Sequence, residues 1–103
     1  MSNERRIPSG LLAEWAAGKL SIKALFVFGS YARGEARPDS DLDVAFEFID
    51  ADDGLSELIT NAAAWKVELS QLTGLVIKDL YLSTDTAAQG ACVQVFSRPG
   101  GSQ

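Results

Sequence analysis

The sequence has 103 residues, 47% of them hydrophobic and 22% charged, which suits one soluble domain with a modest core rather than two substrate-binding lobes. It contains no histidine and one cysteine, Cys92, which excludes Ser–His–Asp and Cys–His catalysis, a His-ligated zinc and an internal disulfide. A formal net charge of −5 argues against holding a nucleic-acid backbone by bulk attraction, yet leaves room for a locally charged nucleotide site.

The opening MSNERRIPSG has no apolar run of the signal-peptide kind. No apolar stretch reaches the length of a membrane span, so a cytoplasmic domain without membrane contact is expected. Residues 1–8 read as a flexible start. Ser9 is placed to cap a helix whose apolar positions Leu11, Leu12, Trp15 and Ala16 fall on one face, with Gly18 as its stop. Ala24 to Phe28 is a short continuous apolar run and predicts a buried strand. Gly29-Ser30-Tyr31-Ala32-Arg33-Gly34 then reads as a turn opening a short helix, followed by a polar loop from Glu35 to Ser40.

Asp41 to Phe48 alternates with period two. Leu42, Val44, Phe46 and Phe48 face one way, and Asp41, Asp43, Ala45 and Glu47 the other, which predicts a strand with one buried face. Ile49 to Gly54 is an acidic connector. Its aspartates miss the spacing of a calcium loop and are better read as helix caps, Asp52 or Asp53 serving a long amphipathic helix from Leu55 to Thr73 that Gly74 closes. Leu75 to Leu82 is a third strand, with Val76, Lys78, Leu80 and Leu82 on one face and Leu75, Ile77, Asp79 and Tyr81 on the other. Thr84 to Phe96 is read as a helix, against the tendency of Gly90, Val93 and Val95. Residues 98–103 read as a frayed tail. Cys92 is expected to be a small buried apolar residue, and Trp15, Trp65 and the phenylalanines core or interface. The whole describes a single domain of residues 1–103 in the α/β (α+β) class, a small mixed sheet flanked by helices.

Asp41 and Asp43 carry the chemistry. Positions i and i+2 of a strand project to the same side, so two carboxylates stand together, and their repulsion calls for a cation between them. Mg²⁺ suits them, being hard, oxygen-seeking and commonly held by one or two carboxylates plus substrate phosphates. Asp79 lies in an otherwise apolar strand, where a carboxylate is costly unless paired or bound to metal, and it joins the same acidic face if the two strands are neighbours. Gly29 allows close backbone approach to a ligand, Ser30 adds a hydroxyl, and Arg33 reaches triphosphate oxygens one turn later. Simpler readings stand beside these: a solvated strand face for Asp41 and Asp43, a pair with Lys66 or Lys78 for Asp79, a helix cap for Ser30, a surface ion pair for Arg33. Taken together, the parts make a triphosphate cradle beside a three-carboxylate site. Two metal ions about 3.5–4 Å apart would activate an attacking oxygen and stabilise a leaving one. That apparatus fits transfer of a nucleotide to a hydroxyl with loss of pyrophosphate.

The stretch from Gly29-Ser30 through Asp41-Leu42-Asp43-Val44 resembles the signature of the DNA polymerase β superfamily of nucleotidyltransferases, and most closely the minimal nucleotidyltransferases of bacteria and archaea. The resemblance runs from Leu25 to Tyr81. It implies the nucleotidyltransferase fold, with Ser30 as the motif serine, Asp41 and Asp43 as the metal-binding pair and Asp79 as the third carboxylate. Arg33 falls where minimal members tend to carry arginine, and ATP is the implied substrate. Such proteins are often encoded beside a HEPN partner in toxin–antitoxin pairs, in which the HEPN protein is a ribonuclease and the nucleotidyltransferase adds AMP to its tyrosine. Two other roles fit the same resemblance: an antitoxin that masks its partner without catalysis, and the catalytic subunit of a small-molecule nucleotidyltransferase. Either a homo-oligomer or a hetero-oligomer is compatible with it.

Overall fold

A computed structural model describes residues 7–35, 37, 40–77, 80–83 and 92–98. In chain order they form α1 (Ser9–Ala17), β1 (Ile22–Phe28), β2 (Asp43–Phe48), α2 (Ala51–Thr73), β3 (Leu80–Leu82) and β4 (Cys92–Ser97). The four strands make one mixed sheet in the order β3-β2-β1-β4, with β3 parallel to β2 and the other pairs antiparallel. A parallel pair requires a crossover, and α2 supplies it.

Both helices pack on the same side of the sheet. Leu12 and Ala16 of α1 and Leu58, Trp65 and Leu69 of α2 share one core with Leu25, Val27, Val44 and Phe46. The aromatic residues anchor that core as expected. Phe46, Phe48 and Trp65 form a mutual cluster with centroid distances of 5.8, 5.6 and 6.4 Å, and Trp15 meets Phe46 and Trp65 edge-on. Trp15 Nε1 also donates to Glu68 Oε1 at 2.9 Å, and Lys19 Nζ lies 3.2 Å from the same oxygen, tying α1 to α2.

Several local readings need correction. Ser9 is not the cap of α1: Pro8 takes that position, its carbonyl accepting from Leu12 N at 3.0 Å, while Ser9 is the first helical residue. Leu11, placed on the apolar face, is exposed. Gly18 ends the helix with an ordinary right-handed φ of −78°. Arg98 adds a side-chain donor there, with Nη2 shared among Ala16 O, Ala17 O and Lys19 O and Nε donating to Ile22 O at 3.1 Å, beside the backbone bonds that Ala16 O and Lys19 O accept from Lys19 N and Ile22 N. The frayed tail assigned to residues 98–103 therefore does not describe Arg98, and residues 99–103 lie outside the described residues. Likewise, Ile7 of the flexible start packs against the core.

Helix α2 begins four residues earlier than expected. Its cap is Asp50, whose Oδ1 accepts from Asp52 N and Asp53 N at 3.0 Å each, so neither Asp52 nor Asp53 is the cap. Gly54 belongs to the helix, not to the connector, and it is a glycine because a side chain there would collide with Phe48. Gly74 does close the helix in the left-handed conformation, at φ 73°.

The third strand is shorter than its apolar run. Leu75 to Ile77 are irregular because their polar groups are already engaged: Ser70 Oγ donates to Leu75 O, Thr73 Oγ1 accepts from Leu75 N, and Val76 O accepts from Leu42 N. The expected alternation does not run through the segment: Ile77 is in the core and Val76 exposed, yet Leu80 and Leu82, assigned to Val76's face, pack against the same core as Ile77, while Tyr81, assigned to Ile77's face, lines an open cleft. The helix predicted over Thr84 to Phe96 is wrong for its second half: Cys92–Ser97 is strand β4, paired along β1. Residues 84–91 lie outside the described residues. Cys92, expected to be buried, is exposed on this edge strand.

Candidate active site

The site is built where β1 ends and β2 begins. The antiparallel register sets Phe28 opposite Asp43, so the residues flanking that pair converge. Gly29 leaves β1 with φ 77°, a conformation that costs a side chain but not a glycine. The chain then makes a single turn: Arg33 N bonds to Gly29 O at 3.1 Å and Glu35 N to Ser30 O at 2.9 Å. The expected short helix is only this turn, so an anion there would be held by local N–H groups, a hydroxyl and a guanidinium rather than by a helix dipole.

An open cleft of about 430 Å³ is lined by Gly29, Ser30, Arg33, Ser40, Asp41, Asp43 and Tyr81. That volume is within the range of small-molecule sites. Five of the six residues singled out in the sequence meet in this one cleft, namely Gly29, Ser30, Arg33, Asp41 and Asp43. Asp79 lies outside the described residues. What the structure records for its neighbourhood is that β3, which Asp79 precedes in the chain, pairs with β2 in the register Val44↔Leu80. Arg33 lines the cleft and is also in the surface ion pair read from the sequence, its Nε 2.8 Å from Glu35 Oε1.

Ser40 and Tyr81 were not singled out. Ser40 Oγ accepts from Arg37 N at 2.8 Å and so fixes the loop immediately before Asp41. Tyr81 enters from β3 opposite Ala45, its ring meeting Phe28 edge-on at 5.0 Å. The alternation of the third strand had already set Tyr81 on the same face as Asp79, which was the available signal for it. Among the described residues no three metal-ligating side chains cluster. The cleft itself offers two carboxylates, a donor set that suits one hard divalent cation shared with substrate oxygens.

The family model described as nucleotidyltransferase domain matches residues 10–83, from α1 through β3 and across every residue of this cleft. The chain belongs to that family. The small mixed α/β sheet with its two helices is the nucleotidyltransferase fold. A protein of Methanocaldococcus jannaschii, MJ1215, named provisionally as a protein adenylyltransferase, is 38% identical over 53 residues, covering 47% of this chain and 62% of that protein. The chain thus spans less than two thirds of that relative's length. No solved structure matches the chain. Among the described residues, no helix of this nucleotidyltransferase domain is long and apolar enough to cross a membrane.

Proposed function

We propose that this nucleotidyltransferase domain is a Mg²⁺-dependent enzyme that moves AMP from ATP to a protein hydroxyl. The observation that carries the reading is the meeting of Ser30 and Arg33 with the Asp41 and Asp43 carboxylates in one cleft. Membership of the family supports the reaction class. The name of the archaeal relative supports the adenylyl group and the protein acceptor.

Asp41 and Asp43 would hold the metal, with triphosphate oxygens and water completing its shell. Bound Mg²⁺ supplies charge neutralisation and polarises the phosphoryl oxygens. Ser30 and Arg33 orient the phosphates that leave. The acceptor oxygen attacks the α-phosphorus, a new P–O bond forms, the bond to the bridging α–β oxygen breaks, and pyrophosphate departs. The proton of the acceptor hydroxyl must pass to a base. The chain has no histidine to take it, and we assign that role to Asp79, which the resemblance makes the third carboxylate.

By the resemblance, the acceptor is a tyrosine on a HEPN ribonuclease and the chain acts as its cytoplasmic antitoxin. The test is to incubate the chain with Mg²⁺, ATP labelled at the α-phosphate and the protein encoded beside it. Label on a tyrosine of that protein, lost with Asp43→Ala, is the expected result. No transfer, with the neighbour still neutralised by Asp43→Ala, overturns catalysis in favour of masking.

A further inference from the structure

Tyr81 is the one aromatic side chain that lines the cleft among the described residues. Every other lining group is a glycine backbone, a hydroxyl, a carboxylate or a guanidinium. Those groups suit phosphates, a metal and ribose hydroxyls, and none offers a flat apolar surface. The Tyr81 ring does, and it is held in place: β3 pairs with β2 through Ala45↔Tyr81, and Phe28 meets the ring edge-on at 5.0 Å with an interplanar angle of 76°. An edge-to-face neighbour of this kind fixes a ring without stacking over it. Ser30 and Arg33 follow β1, Asp41 precedes β2 and Asp43 opens it, and Tyr81 stands on β3 with its ring against Phe28, the residue before Gly29.

We infer that Tyr81 is the nucleoside-binding residue of the cleft, stacking against the base while Ser30 and Arg33 hold the phosphates. This rests on the reaction class proposed above. It also fixes the specificity. Of the described lining residues only Tyr81 offers a ring face to a base, so ring area enters the selection. Stacking tolerates every base and grows with ring area. The site therefore takes purine nucleotides ahead of pyrimidine ones and discriminates weakly between adenine and guanine.

The test is calorimetry with Mg²⁺ on the full chain, comparing ATP, GTP, CTP, UTP and inorganic tripolyphosphate. Wild type should bind ATP and GTP within about tenfold of each other and both more tightly than CTP and UTP. Tyr81→Ala should lose roughly 5- to 150-fold in ATP affinity, the measured range for one base on one ring, while tripolyphosphate binding is unchanged. That unchanged value also reports an intact fold. Tyr81→Phe should bind as wild type. Tyr81→Leu, which keeps apolar bulk against Phe28, reads the same loss if the alanine variant does not fold. ATP affinity unaltered in Tyr81→Ala or Tyr81→Leu overturns the assignment, and a slowed transfer with that unaltered affinity would put the residue beside the acceptor. Tripolyphosphate bound without any gain from a nucleoside also overturns it. If wild type binds neither tripolyphosphate nor ATP, the reaction class itself fails.

Discussion

Gly29 is packed so tightly against Asp43 that a Cβ built on the glycine would overlap carboxylate oxygen Oδ2 and stand 3.4 Å from Cγ. The turn of the motif thus sets the position of a carboxylate on the neighbouring strand. The absent side chain at Gly29 gives that carboxylate its room, and a positive φ of 77° adds a second reason for glycine. Gly29→Ala should cost about 1–3 kcal/mol through the backbone alone. It should also displace Asp43 and abolish Mg²⁺-dependent ATP binding. Gly34→Ala is the control: it shares the positive φ, but no atom lies within 4 Å of its Cβ position. Chemical denaturation and calorimetry on both variants separate the two effects, since only Gly29→Ala should lose the ligand.

Tyr31 follows the motif serine and is 3% exposed, yet its hydroxyl has no hydrogen-bond partner among the described residues. A buried polar group left unpaired costs about 1–3 kcal/mol. Tyr31→Phe should therefore be neutral or stabilising, by up to about 1 kcal/mol, with a raised urea midpoint and an unchanged slope. A midpoint lowered by the equivalent of more than about 1 kcal/mol would mean that the hydroxyl is engaged in solution.

Arg98 joins the last described strand to the end of α1. Its guanidinium serves the carbonyls of Ala16, Ala17, Lys19 and Ile22 and lies 5.4 Å from the Phe96 ring centroid. Arg98→Ala leaves those acceptors without that donor and should cost about 1–3 kcal/mol in thermal or urea unfolding. Arg98→Lys should recover only part of the loss, because a single ammonium cannot reproduce the planar fork. Full recovery by lysine would reduce the role to charge at a helix C-terminus.

Glu68 gives the α1–α2 contact a pH dependence. The Trp15 indole donor holds its carboxyl below the ordinary value of 4.5, Lys19 adds to that shift, and partial burial opposes it. A folded-state value below the unfolded one means that the contribution is complete above 4.5 and is lost as pH falls through the lowered value. Its size is small because the side chain is 44% exposed and screened by solvent. Unfolding midpoints measured from pH 7 down to pH 3 should fall less steeply for Glu68→Gln than for wild type. Equal slopes would remove Glu68 as a contributor.

The sequence by itself determined the site motif and the elements that carry it. Gly29, Ser30, Arg33, Asp41 and Asp43 were recognisable because a turn after one strand and two carboxylates two positions apart at the entry to the next are patterns of residue type and short spacing. The helix α2 and its closure at Gly74 were legible for the same reason, but not its buried face, since Leu55, Ile59 and Leu72 are exposed while Leu58, Trp65 and Leu69 are buried. Tertiary structure decided what depends on distant partners. Val93 and Val95 became part of a strand because β1 had an edge to pair with, and an apparent tail residue became an anchor because β4 brings Arg98 to the carbonyls at the end of α1. Position 54 needs glycine because Phe48 packs against it. Tyr81 reached the cleft because β3 pairs with β2 in the register Ala45↔Tyr81, a relation between two segments that the alternation of one strand leaves open.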